Sequence, residues 1–339
     1  MVNGGPIRHG GVTHKFMTRL IRIRVSLLLG WMVIHSQAAT CVVHTNYHGW
    51  SDAILLCNGL VEAVVVPSVN RVMQFRFVGE AEGPFWENRA LDGSMPDPED
   101  KSWRNFGGDK SWPAPQSEWP KIMDRAWPPP RAFDPSSATA TVKGDSIVLV
   151  SSVDPFYKVR VIRRIRLDRH DPVMRIKTIF EQVEPSTRKI GVWFVTQLNH
   201  PERLYMPIPA ESHFPDGYFA MGELPADLKV KNGLLSMIRS SSKAAKIGND
   251  ANSLLWMGER LALRIDSPRV RKGEYPDQGC SAEIFTSPDP AYIEMELLGP
   301  LGRIETGGKI GRTSVYTLHR RAANGLISDP DLEARSLLR

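Results

Sequence analysis

Hydrophobic positions spaced two residues apart recur along most of the chain. In RVMQFRFV (71–78), for example, Met73, Phe75 and Phe77 alternate with a second set of positions, which is the pattern of a half-buried strand. Helix patterns are sparse, and SSSKAAK (240–246) is a candidate for one short helical turn. So many short strands without intervening helices predict an all-β fold, an antiparallel sandwich or barrel.

A β-hairpin is predicted near the start of the strand-rich region. AILLC (53–57) and LVEAVVV (60–66) are strand-like and flank Asn58-Gly59. Asn-Gly is the dipeptide most typical of a two-residue hairpin turn. We therefore expect the turn to be centred on Asn58 and Gly59.

A long region without strand periodicity, about 79–135, interrupts this pattern. It contains NFGGDKSWPAPQSEWP (105–120), which combines glycines, prolines and tryptophans. Prolines fix φ and remove a donor, so we expect this segment to lie outside helices and central strands. Its aromatic content favours an ordered segment, either a lid on one sheet or the wall of a binding site.

The basic segment KVRVIRRIRL (158–167) predicts a strand with one charged face. Lys158, Arg160, Arg164 and Arg166 share a face, and Arg163 alone breaks the alternation. We expect the charged face to be the solvated outer face of a sheet, with an anion-binding patch as the alternative.

The N-terminal segment 17–38 resembles a secretory signal that is cut after Ala38. Its apolar stretch is shorter than the ~20 residues that a spanning helix needs, so we expect no stable membrane insertion after cleavage. Met17 is an alternative start. The predicted organisation is a signal (1–38), one β domain (39–322) and a C-terminal tail (323–339), exported to the periplasm or the extracellular space.

Export also changes the charge argument. The formal net charge is +6, and the segment before the expected cut contains five basic residues and no acidic residue. The mature chain therefore carries a charge of about +1. We expect no nucleic-acid partner, because the basic excess belongs largely to the leader.

Three cysteines occur: Cys41, Cys57 and Cys280. In an oxidising compartment Cys41 and Cys57 bridge two adjacent strands and leave Cys280 free, whereas the alternative is a reduced, buried set. The cysteine spacing is not that of a zinc site, and His44 and His48 have no third ligand nearby. We expect neither a metal nor a cofactor.

The order of several segments resembles the galactose-mutarotase-like superfamily. VEAVVVPSVNRVMQFRFVG followed by PFWEN looks like its opening strands, and AEIFTSPDPAYIEMELLGPLGRIETGGK resembles its final module. NFGGDKSWPAPQSEWP is similar to a tryptophan–proline segment of secreted bacterial members grouped as a domain of unknown function. The resemblance covers about residues 50–322 and implies an antiparallel β-supersandwich.

The resemblance also implies a catalytic pair for exchange at the anomeric carbon of a sugar. By position, the base is Glu296 or Glu294 and the acid is His200. The sequence departs from the family after His200, where Pro201 replaces the expected aromatic–Asn segment. His213 is the alternative acid.

A sugar offers an apolar face and a rim of hydroxyls, so its site needs aromatic surface beside polar groups. We expect the tryptophan segment and its surroundings to supply both, with Asp109 and Lys110 forming only a surface ion pair if the segment is a lid. The candidate ligand-binding residues are Asn88, Arg89, Asp109, Lys110, Trp112, Gln116, Trp119 and His213.

The sequence therefore predicts an exported protein that recognises a carbohydrate ligand and, if catalytic, acts as an aldose epimerase-like enzyme. Two alternatives remain open. One is a carbohydrate-binding protein without catalysis, and the other is a polysaccharide hydrolase or lyase, since an aromatic-walled groove suits long sugar chains.

Overall fold

The computed structural model describes residues 40–97, 99–100, 102–225, 227–321 and 329–339, together with Met1 and Gly10. The predicted secretory signal falls almost entirely outside the described residues and stays a prediction. Residues from Ala38 to the C-terminus form one unit.

The described residues form twenty strands and two short helices. The helices are α1 (Trp119–Met123) and α2 (Pro330–Leu337). The strands are β1 (Cys41–Tyr47), β2 (Trp50–Cys57), β3 (Val61–Val66), β4 (Arg71–Phe77), β5 (Asp109–Ala114), β6 (Thr139–Lys143), β7 (Ser146–Val153), β8 (Val159–Leu167), β9 (Val173–Gln182), β10 (Gly191–Leu198), β11 (Arg203–Pro207), β12 (Phe219–Ala220), β13 (Lys229–Lys231), β14 (Leu234–Met237), β15 (Ala245–Asn249), β16 (Ser253–Met257), β17 (Leu261–Asp266), β18 (Ala282–Ser287), β19 (Tyr292–Leu298) and β20 (Lys309–Arg320).

These strands make two antiparallel sheets of ten strands each. The order in the first sheet is β1-β2-β3-β4-β5-β10-β19-β18-β15-β12, and the order in the second is β13-β14-β11-β16-β17-β20-β9-β8-β7-β6. The prediction of an all-β antiparallel sandwich is confirmed. β10 and β19 are buried along their whole length, which means that both faces of the first sheet are covered at its centre.

The hydrophobic core lies where the inner faces of the two sheets meet. Phe194 and Met295 from the first sheet belong to one buried cluster with Ile165, Phe180 and Leu318 from the second. Alternation along each strand sends every second side chain into this layer.

The hairpin of β2 and β3 forms as expected, but its turn lies one residue later than predicted. Gly59 takes a positive φ of 85°, and the Asn58 amide nitrogen donates to the Val61 carbonyl at 3.2 Å. The Asn58 side chain closes this turn and also reaches a second loop. Its Oδ1 accepts from the Leu60 and Val61 amides, both at 2.9 Å, and its Nδ2 donates to the carbonyls of Asp168 and Asp171 in the loop after β8. Asn58 therefore joins two loops instead of forming the centre of the turn.

Two local predictions were wrong. SSSKAAK is not a helical turn, because its last residues begin strand β15. The proline-rich segment contains β5, which lies between β4 and β10. Pro113 is tolerated there because β4 pairs with β5 only at Asp109, so the missing amide hydrogen of Pro113 faces no partner strand.

The cysteines adopt the arrangement in which two are bridged and one is free. Cys41 and Cys57 lie directly opposite each other on β1 and β2, with Cα atoms 5.0 Å apart, and form a disulfide. Cys280 is free and buried.

The C-terminal segment returns to the second sheet. The Asp329 side chain caps α2 by accepting a hydrogen bond from the Asp331 amide at 2.9 Å, and Pro330 occupies the first turn. Ala334 is buried in a cluster with Tyr205 and Leu255. Among the helices of the described ranges, none is long and apolar enough to cross a membrane.

A buried ion pair joins the two sheets. Arg163 is the residue that breaks the alternation of β8, and its side chain points inward. Its Nη2 binds Asp109 Oδ1 on β5, and its Nη1 donates to the Asp109 carbonyl at 3.1 Å. Thr196 and Tyr316 donate hydroxyl hydrogen bonds to Asp109 Oδ2 at 2.8 Å and 2.5 Å.

We expect Asp109→Ala to lower the free energy of unfolding by about 3–5 kcal/mol, because it leaves the buried Arg163 guanidinium without a counter-charge. Urea unfolding of the purified protein measures this. The control is Glu223→Ala, which breaks an exposed pair with Lys243 and should leave stability unchanged. A loss for Asp109→Ala as small as that of the control would contradict a structural role for the pair.

Candidate functional site

A cavity of about 230 Å³ opens on the first sheet. It lies on the face opposite to Asp109, since its strand residues alternate with the core-facing ones. We call it the tryptophan cavity, and its lining residues are Trp103, Trp112, Gln116, Trp127, Trp193, Lys246, Phe285, Tyr292, Glu294 and Glu296.

Strand register brings these side chains together from distant parts of the chain. Trp112 on β5 lies opposite Trp193 on β10. Two residues from this tryptophan pair, Lys110 on β5 lies opposite Val195 on β10. Val195 lies opposite Glu296 on β19 on its other side. Residues two apart on a strand share a face, so the tryptophans form a wall beside a row of charged groups.

Lys246 on β15 binds two carboxylates at the floor of the cavity. Its Nζ lies 2.9 Å from Glu296 Oε2 and 2.8 Å from Glu283 Oε2. Trp193 Nε1 donates to the same Glu296 oxygen at 2.8 Å. Within the described residues, the other oxygen of Glu296, Oε1, is buried without a hydrogen-bond partner. That atom is a buried acceptor without a partner, in a residue that lines the cavity.

Burial and charge determine how this cluster holds its protons. Burial by itself lowers the pKa of Lys246, but the carboxylates of Glu283 and Glu296 outweigh it and raise this pKa above its ordinary value. Burial raises the pKa of Glu283 well above its usual range, and Lys246 offsets only part of that effect. Glu283 receives no well-aligned hydrogen bond from the described residues, whereas Glu296 receives one from Trp193. The raised pKa of Glu283 favours its neutral form, and the raised pKa of Lys246 favours its cation.

Glu294 and Lys110 form a second pair beside the first. Lys110 Nζ lies 3.8 Å from Glu294 Oε1, and Gln197 Nε2 donates to the same oxygen at 2.9 Å. Burial raises the pKa of Glu294 to about 7, against the opposing effect of Lys110. Burial lowers the pKa of Lys110 to about 8, against the opposing effect of Glu294. Both groups therefore exchange protons close to neutral pH.

A second buried ion pair orients the tryptophan wall. The Asp134 carboxylate binds Arg71 Nη2 through one oxygen. Its other oxygen accepts hydrogen bonds from Trp112 Nε1 at 2.9 Å and from Trp103 Nε1 at 3.2 Å. The indole rings are thus fixed by charge-assisted hydrogen bonds as well as by packing.

Trp127 is the exposed member of the wall. It keeps 40% of its surface accessible, whereas Trp112 keeps 2%. Its ring packs edge-on against Trp103 and Trp112, with centroids 4.8 Å and 5.5 Å apart. Trp127 therefore offers an aromatic face at the rim of the cavity.

Two glycines allow the wall to approach the sheet. Gly107 and Gly108 have positive φ angles of 90° and 68°. A side chain on Gly108 would meet the Val72 carbonyl oxygen at 2.6 Å, and one on Gly107 would collide with the Trp86 carbonyl. The sharp backbone turn expected at this pair is present.

Several residues singled out by sequence come together in this cavity. Trp112, Gln116, Glu294 and Glu296 line it, and Lys110 contacts Glu294 beside it.

Asp109 and Trp119 do not reach the cavity, and this corrects their expected contact with a ligand. Asp109 is fully buried between the sheets in its pair with Arg163, so it forms neither a ligand contact nor a surface pair with Lys110. Trp119 is also fully buried, and its Nε1 donates to the Pro113 carbonyl at 3.0 Å. It supports the wall from behind, with its ring centroid 6.2 Å from that of Trp193.

Asn88 and Arg89 also lie outside the cavity lining. The Asn88 side chain accepts from the Ala90 amide at 3.2 Å and donates to the Asn105 carbonyl at 3.0 Å, which are local turn contacts. Arg89 pairs with Glu87 at 3.2 Å. Both residues stabilise their own loop.

Neither predicted histidine lines the cavity. His200 is exposed at the end of β10 and accepts a hydrogen bond from Arg239 Nε at 3.2 Å. His213 binds Asp250 through Nδ1 and the Gln278 carbonyl through Nε2, both at 3.0 Å. The lining residues include no histidine. The histidine that the family resemblance implied as proton donor is therefore not among the residues that line the tryptophan cavity.

Sequence reasoning missed Trp193, Lys246, Glu283, Phe285 and Tyr292. Trp193 had a usable signal in the strand VWFVTQL. It stands two and four residues before Val195 and Gln197, so all three side chains share one face of the strand. Lys246 had none, since it stands in a segment that read as a helical turn. Its role depends on the pairing of β15 with β18, which places it opposite Phe285.

Groups of three or more histidine, cysteine, aspartate or glutamate side chains arranged to hold a metal ion do not occur in the described ranges.

No protein-family model matches the sequence, and no curated protein matches it at the level of sequence. Solved structures do match the fold. A galactose mutarotase-like protein from Lactobacillus casei ATCC 334 aligns with 79% of this chain and 100% of its own, at a TM-score of 0.53 and 8% identity. A candidate aldose 1-epimerase from Escherichia coli K12 aligns with 83% of this chain and 100% of its own, at a TM-score of 0.51 and 11% identity.

At sequence identities this low, the alignments support the fold alone, and the chemistry has to be inferred from the residues of the cavity. The antiparallel strands, the two ten-stranded sheets and these alignments agree. The chain has the galactose-mutarotase-like fold.

Proposed function

We propose that the protein binds a carbohydrate in the tryptophan cavity and exchanges its anomers as an aldose epimerase-like enzyme. The observation that carries the proposal is the pair Glu294 and Glu296 at the floor of a cavity walled by indole rings. The fold is consistent with this function without establishing it.

The wall suits a sugar because a pyranose has an apolar C–H face that stacks on aromatic rings. Trp127 offers an exposed ring at the rim, and Tyr292 contributes a second aromatic surface. Hydroxyl groups need acceptors and donors, which Glu296 Oε1 and Lys246 provide at the floor.

Glu296 suits the role of the base. Lys246 and Trp193 hold its Oε2, which leaves Oε1 free to accept a proton from the anomeric hydroxyl. A base fixed by two donors needs little reorganisation when the proton arrives.

Glu294 suits the role of the acid. Its pKa of about 7 keeps a fraction of the carboxyl protonated at neutral pH. Glu294 and Glu296 are two residues apart on β19, which separates their backbones by roughly 6.8 Å on one face of the strand. This spacing lets one group face the anomeric hydroxyl while the other faces the ring oxygen.

The proposed reaction is then a balanced proton exchange. Glu296 takes the proton of the anomeric hydroxyl as Glu294 gives its proton to the ring oxygen. The bond between the anomeric carbon and the ring oxygen breaks, and the open-chain aldehyde forms. Rotation of the aldehyde and the reverse transfers close the ring as the other anomer.

A carbohydrate-binding protein without catalysis is the second candidate. The observation that favours it is the lack of histidine among the lining residues. This candidate requires the aromatic wall but makes no demand on the protonation of Glu294.

We expect Glu296→Gln to slow anomer exchange by about 100-fold or more, since it removes the proposed base, while sugar binding survives. Anomer exchange is followed by NMR in a panel of reducing sugars, and binding by saturation transfer. Trp127→Ala serves as the complementary change and should weaken binding first.

Exchange that Glu296→Gln leaves unchanged would exclude Glu296 as the base. Binding without any acceleration by the unaltered protein would favour the second candidate. An absence of binding to every sugar tested would contradict both.

The pH dependence of exchange tests the acid. Since Glu294 has to hold a proton, the rate should fall as the pH rises through about 7. The Lys110 cation lowers the pKa of Glu294, so Lys110→Met should raise this pKa and move the fall in rate to higher pH by about one unit. The pH profiles of kcat for the two proteins measure the shift.

The matched control is Lys243→Met, which removes an exposed lysine that pairs with Glu223. It should leave the profile in place. A shift to lower pH in Lys110→Met would show that a different group donates the proton.

We also propose that the protein is exported. The Cys41–Cys57 disulfide supports this proposal, because disulfides persist mainly in oxidising compartments. The signal-like pattern before Ala38 supports it independently.

Expression of the full chain in a bacterial host with fractionation tests export. We expect periplasmic or extracellular protein whose N-terminus is Ala39, with Cys41 and Cys57 resistant to alkylation until reduction. A full-length cytoplasmic protein with two reactive thiols at these positions would contradict it.

A further inference from the structure

We propose that the outer face of the second sheet binds an anionic polysaccharide. A groove of about 270 Å³ lies there, whereas the strand residues of the tryptophan cavity belong to the first sheet. Four cations line it, Arg164, Arg166, Arg175 and Lys177, which we call the basic face. The inference goes beyond the proposed function, because it concerns the other sheet.

Strand register arranges the basic face as a two-by-two lattice. Arg164 on β8 lies opposite Lys177 on β9, and Arg166 lies opposite Arg175. Directly opposite side chains are about 5 Å apart across the strands. The two pairs are roughly 6.8 Å apart along them. Four like charges are thus held on a rigid, repeating frame.

Directly opposite like charges destabilise a sheet, so fold stability does not explain this lattice. At the other end of β8 and β9, by contrast, the cations of the same face form ion pairs with a carboxylate. Arg160 lies 3.4 Å from Glu181, and Lys309 on β20 lies 2.9 Å from the same carboxylate. Among the described residues, no carboxylate comes within ion-pair distance of the four members of the basic face.

Two acidic groups lie near the four cations, which outnumber them. Asp145 lines the groove but lies 3.9 Å from Arg169. Asp168 accepts a hydrogen bond from the His170 amide at 3.0 Å. The basic face therefore carries an excess of positive charge that an external anion can complement.

Protection of a sheet edge does not account for the lysine and arginines either. Charged residues often guard exposed edge strands against pairing with other chains. β8 and β9 lie inside the second sheet, between β20 and β7. The charges stand on the face of the sheet and leave its edges unaffected.

The lining favours a polysaccharide over other polyanions. Thr313 adds a hydroxyl group to the groove, which suits the hydroxyls of a sugar chain. Single-stranded nucleic acids stack on aromatic side chains, and membrane surfaces take up apolar ones. The groove lining contains neither kind. Carboxylate groups spaced along a polymer match the repeating cations.

Binding of the mature protein to immobilised polygalacturonate tests the proposal, with dextran as the neutral polymer. The test variant is the double change Arg164→Ser and Arg175→Ser, which removes one exposed cation from each pair. The matched control is Arg160→Ser with Lys309→Ser, which removes the same number of charges from the same face of the same sheet.

We expect the unaltered protein to bind polygalacturonate and not dextran, with an affinity that falls as sodium chloride is added. The test variant should lose about tenfold in affinity, while the control loses little. Thermal unfolding shows that both variants fold. Loss of this binding in Trp127→Ala, with binding by the test variant intact, would assign the polymer to the tryptophan cavity and overturn the proposal.

Equal losses in the test and control variants would overturn the proposal, since only net charge would then matter. So would an absence of binding to polygalacturonate. Equal or tighter binding to double-stranded DNA or to phosphatidylglycerol vesicles, lost in the same variant, would assign the basic face to a different partner.

Discussion

The fold depends on the ion pair between Asp109 and Arg163, which lies between the two sheets where neither charge meets water. A buried charge is costly unless it is paired and hydrogen-bonded, and here both conditions hold, because Thr196 and Tyr316 satisfy the second oxygen of Asp109. The pair fixes which face of β5 turns toward the core. A slip of that strand by one residue would turn Lys110 toward Arg163 in place of Asp109, and two like charges would then face each other.

The geometry of the cavity follows from this constraint. With Asp109 turned inward, the next residue, Lys110, and then Trp112 turn to the opposite face, beside β10 and β19. Asp134 repeats the same device on the other side of the wall, where its carboxylate binds Arg71 and orients Trp112. Two buried ion pairs thus hold β5 and the Trp112 ring in place, and Trp112 lines the cavity on the outer face of the first sheet.

Charged residues are paired differently in three environments of the structure. Between the sheets each charge has a partner and serves the fold. In the tryptophan cavity, the carboxyl groups of Glu283, Glu294 and Glu296 outnumber the ammonium groups of Lys110 and Lys246. Burial raises the pKa of Glu294 to about 7, and the Lys110 cation offsets only part of that effect. On the outer face of the second sheet, the four cations of the basic face have no carboxylate within ion-pair distance among the described residues, which is tolerable in water.

The sequence by itself determined most of the strands, the all-β antiparallel class and the positions of Glu294 and Glu296 on one strand face, because alternation with a period of two is a local property of the chain. The resemblance to known proteins supplied the fold that the solved structures then matched. Only the tertiary structure decided that Asp109 belongs to the core and that Lys246 belongs to the cavity. Arg163 is 54 residues from Asp109, and Lys246 is 50 residues from Glu296. Strand order creates such pairs, and local sequence carries no record of which distant strand will lie opposite.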